Sequence, residues 1–269
     1  MSDLATARRA ELAVDLRRYP LGEPEAMAPV VDRARAGLAR DGVAILEGFL
    51  RPDAVAAICE ECHVLAPSAH HAITVGTPYL SLPDESFPAG HPRRSEVRSS
   101  LAAVAYDLIG SDSLLRALYE WEVLLDAVSL MLDRPPLYRY ADPLGALNVA
   151  VMGEGDELGW HFDQTDFVVS IALQSADRGG EFESATRVRG DDDECYDTVD
   201  AVVRGDRSRV TSVPMRPGAL MLFEGRRSLH RVTPVTGTQP RYVALLAYDT
   251  KPDTDSSELL KLVRYGRLP

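Results

Sequence analysis

No apolar run in this chain of 269 residues approaches the length of a membrane span, and Met1 to Arg9 lack the apolar core of a signal peptide. The expectation is a cytoplasmic protein. Cysteine is scarce, with three in the whole chain, and an odd number in a long sequence does not make a disulfide framework. Basic residues are outnumbered, 29 Lys and Arg against 41 Asp and Glu, for a formal charge of -12. Such a surface repels phosphate, so neither nucleic acid nor an anionic membrane is an expected partner. An anionic ligand would need a local basic pocket. The sequence also lacks internal repeats, low-complexity segments, a nucleophile elbow around Ser170 or Ser228, and a second pair to complete a zinc site with Cys59-Glu60-Glu61-Cys62.

What is present is ordinary globular composition, 45% apolar and 26% charged, long enough for one domain over 1–269 with a substantial core. Up to residue 136 the periodicity is mostly helical. Met27, Val30, Val31, Ala34 and Leu38 predict a helix that ends at Asp41-Gly42, and Val43 to Leu46 read as a short strand. A second helix starts at Pro52-Asp53 with the face Val55, Ile58, Cys59, Cys62 and Leu65, which makes packing the reading for both cysteines. Leu101 to Ile109 and Ser113 to Leu132 read as two more helices, and 66–95, rich in Pro, Ser and Gly, as a surface loop or active-site lid.

From Leu137 the pattern changes to short strands at 137–141, 146–152, 159–163, 166–174, 181–184, 209–213, 219–223, 229–233 and 241–248. The fold class expected is mainly β with supporting helices, a jelly-roll core over 137–250 followed by a tail at 251–269. The acidic run Asp191 to Asp197 lacks the glycine and final glutamate of a calcium loop and reads as a solvated insertion.

The chemistry concentrates at Trp160-His161-Phe162-Asp163. On a strand His161 and Asp163 share a face, so both can reach one ion. His230 follows the apolar run Ala219 to Phe223 and a short turn, and it supplies a third ligand. Two imidazoles and one carboxylate with open positions opposite suit a non-haem Fe(II) site that activates O2. Ten residues later Arg241 opens another apolar strand and brings a cation near the metal. These four points resemble the Fe(II)/2-oxoglutarate-dependent oxygenases, whose signature is His-x-Asp, a distal His and an Arg about ten residues on.

The resemblance implies a double-stranded β-helix, with His161, Asp163 and His230 holding iron and Arg241 binding the far carboxylate of 2-oxoglutarate. Around the signature, Gly159 to Asp163, Gly179 to Glu183 and Ser228 to Val235 are similar to the subgroup acting on free amino acids, the BesD-type lysine halogenases and related hydroxylases. Asp163 departs from the halogenases, which carry a small residue there so that halide can bind iron. Hydroxylation of an unactivated C–H bond is therefore expected, with desaturation or cyclisation, aziridine formation for example, as the alternative outcome. Asn148 and Tyr138 or Tyr140 are candidate helpers for the co-substrate. Arg98 is the candidate clamp on a substrate carboxylate, and Asp166 or Gln164 the candidate partner of its amino group. Leu245 and Ala247, on the face of Arg241, with Leu144 and Leu147, suggest an aliphatic amino acid from specialised metabolism. Monomer and homodimer are both compatible with the sequence. A zinc hydrolase and a non-catalytic jelly-roll metal-binding module are the competing readings; the second would not need Arg241 facing the metal.

Overall fold

A computed structural model describes residues 2–269, with side chains described from residue 4. The chain begins with helices α1 (Ser2–Ala13) and α2 (Pro24–Asp41), strand β1 (Val43–Leu46) and α3 (Pro52–Leu65). Next come β2 (His70–Gly76), β3 (Val97–Val104), α4 (Leu114–Glu120) and α5 (Glu122–Leu132). The second half holds β4 (Tyr138–Arg139), β5 (Leu147–Met152), β6 (Glu157–His161), β7 (Val168–Gln174), β8 (Arg178–Gly179) and β9 (Phe182–Ala185). It continues with α6 (Tyr196–Val203), β10 (Val210–Val213), β11 (Leu220–Phe223), β12 (Leu229–Val232), β13 (Val235–Thr236), β14 (Arg241–Leu246), β15 (Tyr248–Asp249) and α7 (Glu258–Tyr265). No described helix is long and apolar enough to cross a membrane.

The expected jelly roll is there as one curled antiparallel sheet in the order β1-β11-β7-β14-β5-β3-β6-β12-β9-β10. Period-two alternation divides its two faces. Along β14, Tyr242, Ala244 and Leu246 join the core shared with α1 to α5, whereas Arg241, Val243 and Leu245 line an interior cavity. On the other side, α6 covers β6, β9 and β12 through Val199, Val202, Trp160, Ala185 and Leu229.

Local chemistry explains where the helices stop. α2 starts at Pro24, where a missing N–H costs nothing, and ends at Gly42, whose φ of 65° lets its N–H return to the Leu38 carbonyl at 2.9 Å. The apolar spacing buries Met27, Val30, Ala34 and Leu38 as expected. In α3 the Cys59 thiol donates to the Leu173 carbonyl at 3.2 Å, and burial pushes the Cys62 thiol up to about 12, so both cysteines are packing groups.

Four expectations are corrected. Leu101 to Ile109 do not form a helix: residues 97–104 are β3, which pairs with β5 through Ala102 to Val104 and with β6 through Ser99 and Ser100, stitching the two halves of the sheet together. Small residues without punctuation have weak preferences, and strand partners on both edges override them. The expected helix from Ser113 to Leu132 is two. It breaks at Trp121, in extended conformation, where Arg139 donates to the freed Tyr119 carbonyl at 2.7 Å. Within the expected loop at 66–95, β2 pairs along the edge of β3. The expected tail contains α7, packed on β2 and β3.

Candidate metal centre and its pocket

β6 turns Trp160 outward, where Arg231 lies 4.8 Å from its ring centroid, and His161 inward. The strand ends at His161. Asp163 reaches the same side because its N–H donates to the Gly225 carbonyl at 3.1 Å, drawing the chain onto the turn between β11 and β12. His230 stands directly opposite His161 in the β12–β6 register, so all three side chains converge.

Both imidazoles are oriented by backbone. His161 Nδ1 lies 2.7 Å from the Gly159 carbonyl and His230 Nδ1 lies 2.9 Å from the Ser228 carbonyl. An Nδ1–H donated to a carbonyl leaves the Nε2 lone pair free for a metal. The Nε2 atoms face different oxygens of Asp163, at 3.7 Å for His161 and 3.4 Å for His230. Ligands about 2.1 Å from one ion and at right angles lie roughly 3 Å apart, so the set is close to a facial arrangement. Burial and the neighbouring His230 push the His161 pKa down to about 4, favouring the neutral ligand form. For Asp163 burial acts to raise the pKa, but the facing His230 and His161 outweigh it and hold the carboxyl below its ordinary value. At His230 burial acts downward, and the Asp163 carboxylate more than offsets it. Asp163 Oδ2 is buried without a hydrogen-bond partner, and any Cβ at Gly225 would collide with this carboxylate. An orphaned buried anion between two lone pairs, in a cradle only glycine leaves open, fits a divalent cation.

The cavity of about 350 Å³ that holds the triad also holds Arg241. This guanidinium is 7% exposed, its one polar contact is the Met152 sulfur at 3.8 Å, and burial pushes its pKa down to about 10. No carboxylate offsets that cost among the described residues, so the position fits the anionic end of a ligand.

Other candidates are distributed unevenly. Asn148, Leu245 and Ala247 line the cavity, and so does Tyr140. Tyr138 instead lies at 37% exposure on β4, outside the lining. Arg98 projects from the face of β3 opposite the cavity-lining Leu101 and pairs with Glu157 at 3.1 Å. Asp166 is held by Arg226 at 2.6 Å and Arg134 at 3.2 Å, and Gln164 gives its carbonyl to Arg226. Leu147 faces the helices rather than the cavity, and Leu144 joins the inner core without lining it. The arginines around the distal histidine tie down turns: Arg227 binds Asp191, and Arg231 binds Glu183. The expected solvated insert is partly docked, with Arg93 binding Glu194 and Tyr196.

Two lining residues, Ser170 and Arg264, escaped the sequence reading. Ser170 Oγ is buried without a partner, as is Asn148 Oδ1, and the two residues flank Leu245 on adjacent strands. Arg264 of α7 lines the cavity near the triad. Its helix could have been found from the Ser257 N-cap and the Gly266 C-cap.

A family model described as Halogenase D matches residues 27–261. No curated protein matches the chain. Among solved structures, the chain is similar to the non-heme alpha ketoglutarate dependent epimerase SnoN from nogalamycin biosynthesis, at 15% identity over 82% of this chain and 83% of that one, with a TM-score of 0.56. AviO1 from Streptomyces viridochromogenes Tue57 shares 20% identity over 82% of this chain and 93% of its own, with a TM-score of 0.52. HygX from Streptomyces hygroscopicus, solved with nickel and 2-oxoglutarate bound, shares 14% identity over 78% of this chain and 83% of its own, with a TM-score of 0.50. At these identities the likeness is one of fold.

Proposed function

The chain belongs to the Halogenase D family, within the Fe(II)/2-oxoglutarate-dependent oxygenases, and from that premise we propose that it hydroxylates an unactivated C–H bond of a free amino acid. It is a 2-oxoglutarate-dependent dioxygenase, working with Fe(II), 2-oxoglutarate and O2. When bound, iron and 2-oxoglutarate supply the oxidising power, as O2 and the co-substrate yield succinate and CO2 and one oxygen atom goes to the substrate. His161, Asp163 and His230 would hold the iron. Arg241 would pair with the distal carboxylate of 2-oxoglutarate, replacing an unmatched buried charge by a charge-assisted pair.

The observation that carries hydroxylation is the Asp163 carboxylate between the two Nε2 atoms, fixed by Gly225. It fills the place that the resembling halogenases leave to halide. Leu245 and Ala247 would pack against the substrate side chain. The aliphatic expectation also leaned on Leu147, which faces away, and the wall instead presents Asn148 Oδ1 and Ser170 Oγ unpartnered. A side chain bearing a hydrogen-bond donor suits those two groups better than a purely aliphatic one.

The test is to supply anaerobically reconstituted protein with 2-oxoglutarate, O2 and a panel of free amino acids, then measure succinate and product mass. A gain of one oxygen is expected, with lysine, ornithine or a hydroxylated amino acid responding more than leucine or valine. Loss of two hydrogens would move the reaction to desaturation or ring closure, and a chlorinated product would overturn the role given to Asp163.

A further inference from the structure

Arg241 is not the sole cation lining the cavity. Arg264 also lines it, projecting from α7, and among the described residues it forms no ion pair; its polar neighbour is the Tyr265 hydroxyl. Outside the cavity lining Arg93, Arg134, Arg187, Arg189, Arg226 and Arg227 each meet a carboxylate. In a chain with a formal charge of -12, carboxylates to satisfy Arg264 are plentiful, yet the lining contains no acid besides Asp163. With a divalent ion on the triad and dianionic 2-oxoglutarate on Arg241, the lining keeps one unmatched positive charge.

The helix that presents Arg264 is built to hold it in place. Ser257 caps its first turn by accepting from the Leu260 N–H at 3.2 Å, and Gly266 ends it in the left-handed region at φ 69°. Lys261 is 5% exposed and clamped by Asp255 at 2.6 Å and by Asp142 at 3.8 Å. Positions three apart share a helix face, so this pinned lysine fixes the direction in which Arg264 leaves the helix. The two guanidinium groups take different levels of the barrel. Arg241 opposes Met152, whereas the charge of Arg264 acts on His161 and Asp163.

We infer that Arg264 is a specificity-determining residue that holds the carboxylate of the substrate beside the metal, while Arg241 holds that of the co-substrate at the far end. This rests on the amino-acid reading above and takes the role that Arg98, paired with Glu157 outside the lining, does not fill. A planar guanidinium can grip a carboxylate through two parallel hydrogen bonds, which fixes the substrate's orientation toward the iron as well as its presence.

The test compares wild type, Arg264→Ala and Arg264→Lys as anaerobic Fe(II)/2-oxoglutarate complexes. Each is titrated with the amino-acid panel and with the corresponding carboxamides, following the visible absorption of the complex. For the amino acid that responds, Arg264→Ala is expected to raise the half-saturating concentration roughly 10- to 100-fold, with 2-oxoglutarate affinity unchanged. The lysine variant should recover part of the loss, and in wild type the carboxamide should bind as weakly as the acid binds to Arg264→Ala. Equal binding of acid and carboxamide, an unaffected Arg264→Ala, or a loss confined to 2-oxoglutarate would each overturn the inference. Silence with every amino acid while 2-oxoglutarate still binds overturns it too and leaves the oxygenase class standing. Failure of wild type to bind 2-oxoglutarate would instead sink the cofactor reading beneath it.

Discussion

The cavity and the surface outside it treat arginine in opposite ways. On the surface, Arg226 meets Asp166 at 2.6 Å, Arg227 meets Asp191 at 2.6 Å and Arg187 meets Glu224 at 2.7 Å, so these charges are consumed in fastening loops. In the cavity lining, buried Arg241 and half-buried Arg264 have no carboxylate partner among the described residues. Exposed pairs contribute little each, so these surface arginines chiefly fix geometry. A buried unmatched cation such as Arg241 costs stability and persists where a ligand supplies the missing charge. Unpaired charge is therefore a better pointer to this site than charge as such.

Breaking the ligand set inside should have the largest effect. His230→Ala, or His161→Ala, is expected to lower turnover roughly a thousandfold or more through loss of iron, read as metal content per chain after dialysis. Arg241→Met sharpens the contrast because its two effects oppose each other. The affinity for 2-oxoglutarate should fall roughly 100-fold, while the ligand-free protein should gain about 1–3 kcal/mol of stability, measured by urea melts, because an unmatched buried charge has gone. A surface variant such as Arg227→Met should show neither effect. Gly225→Ala comes next: the added methyl displaces the Asp163 carboxylate, so iron affinity should drop roughly 10- to 100-fold with the fold intact by circular dichroism.

The smallest effect concerns Glu183, which accepts from Arg231 at 2.6 Å and from Arg207 at 2.8 Å. Burial acts to raise its pKa, but the two arginines outweigh it and hold the folded value below the ordinary 4.5. Its contribution is therefore complete above about 4.5 and fades as pH falls through the lower folded value. Glu183→Gln should cost about 1–3 kcal/mol at neutral pH and much less in acid. A loss equal at both pH values would contradict that assignment.

What the sequence made legible follows from short-range geometry. Period two was enough to aim His161, the last residue of β6, and Arg241, the first of β14, inward, whereas Asp163 lies beyond the strand end and is turned to the same side by its N–H bond to the Gly225 carbonyl. The strands after residue 137 announced themselves through glycine and proline, and each expected one is present, some shorter than expected. β3 did not, because Leu101 to Val104 carry no turn residues and the strand character of this segment comes from partners, 70–76 of β2 along one edge and 149–151 of β5 along the other. Arg98 and Asp166 went astray for a related reason. Glu157, Arg134 and Arg226, which occupy them, lie from 32 to 60 positions away, where spacing says nothing. Arg264 was hidden by the shortness of its helix, eight residues of which only Lys261 and Tyr265 are buried.

The most direct measurement is anaerobic titration of the protein with Fe(II) and then 2-oxoglutarate, followed by visible absorption, in wild type and in Arg241→Ala. One iron and one 2-oxoglutarate per chain are expected for wild type, with iron retained and 2-oxoglutarate affinity sharply reduced in the variant. Iron bound without any 2-oxoglutarate, or equal 2-oxoglutarate affinity in both proteins, would contradict the assignment of this cavity to an oxygenase and return it to a metal-binding module.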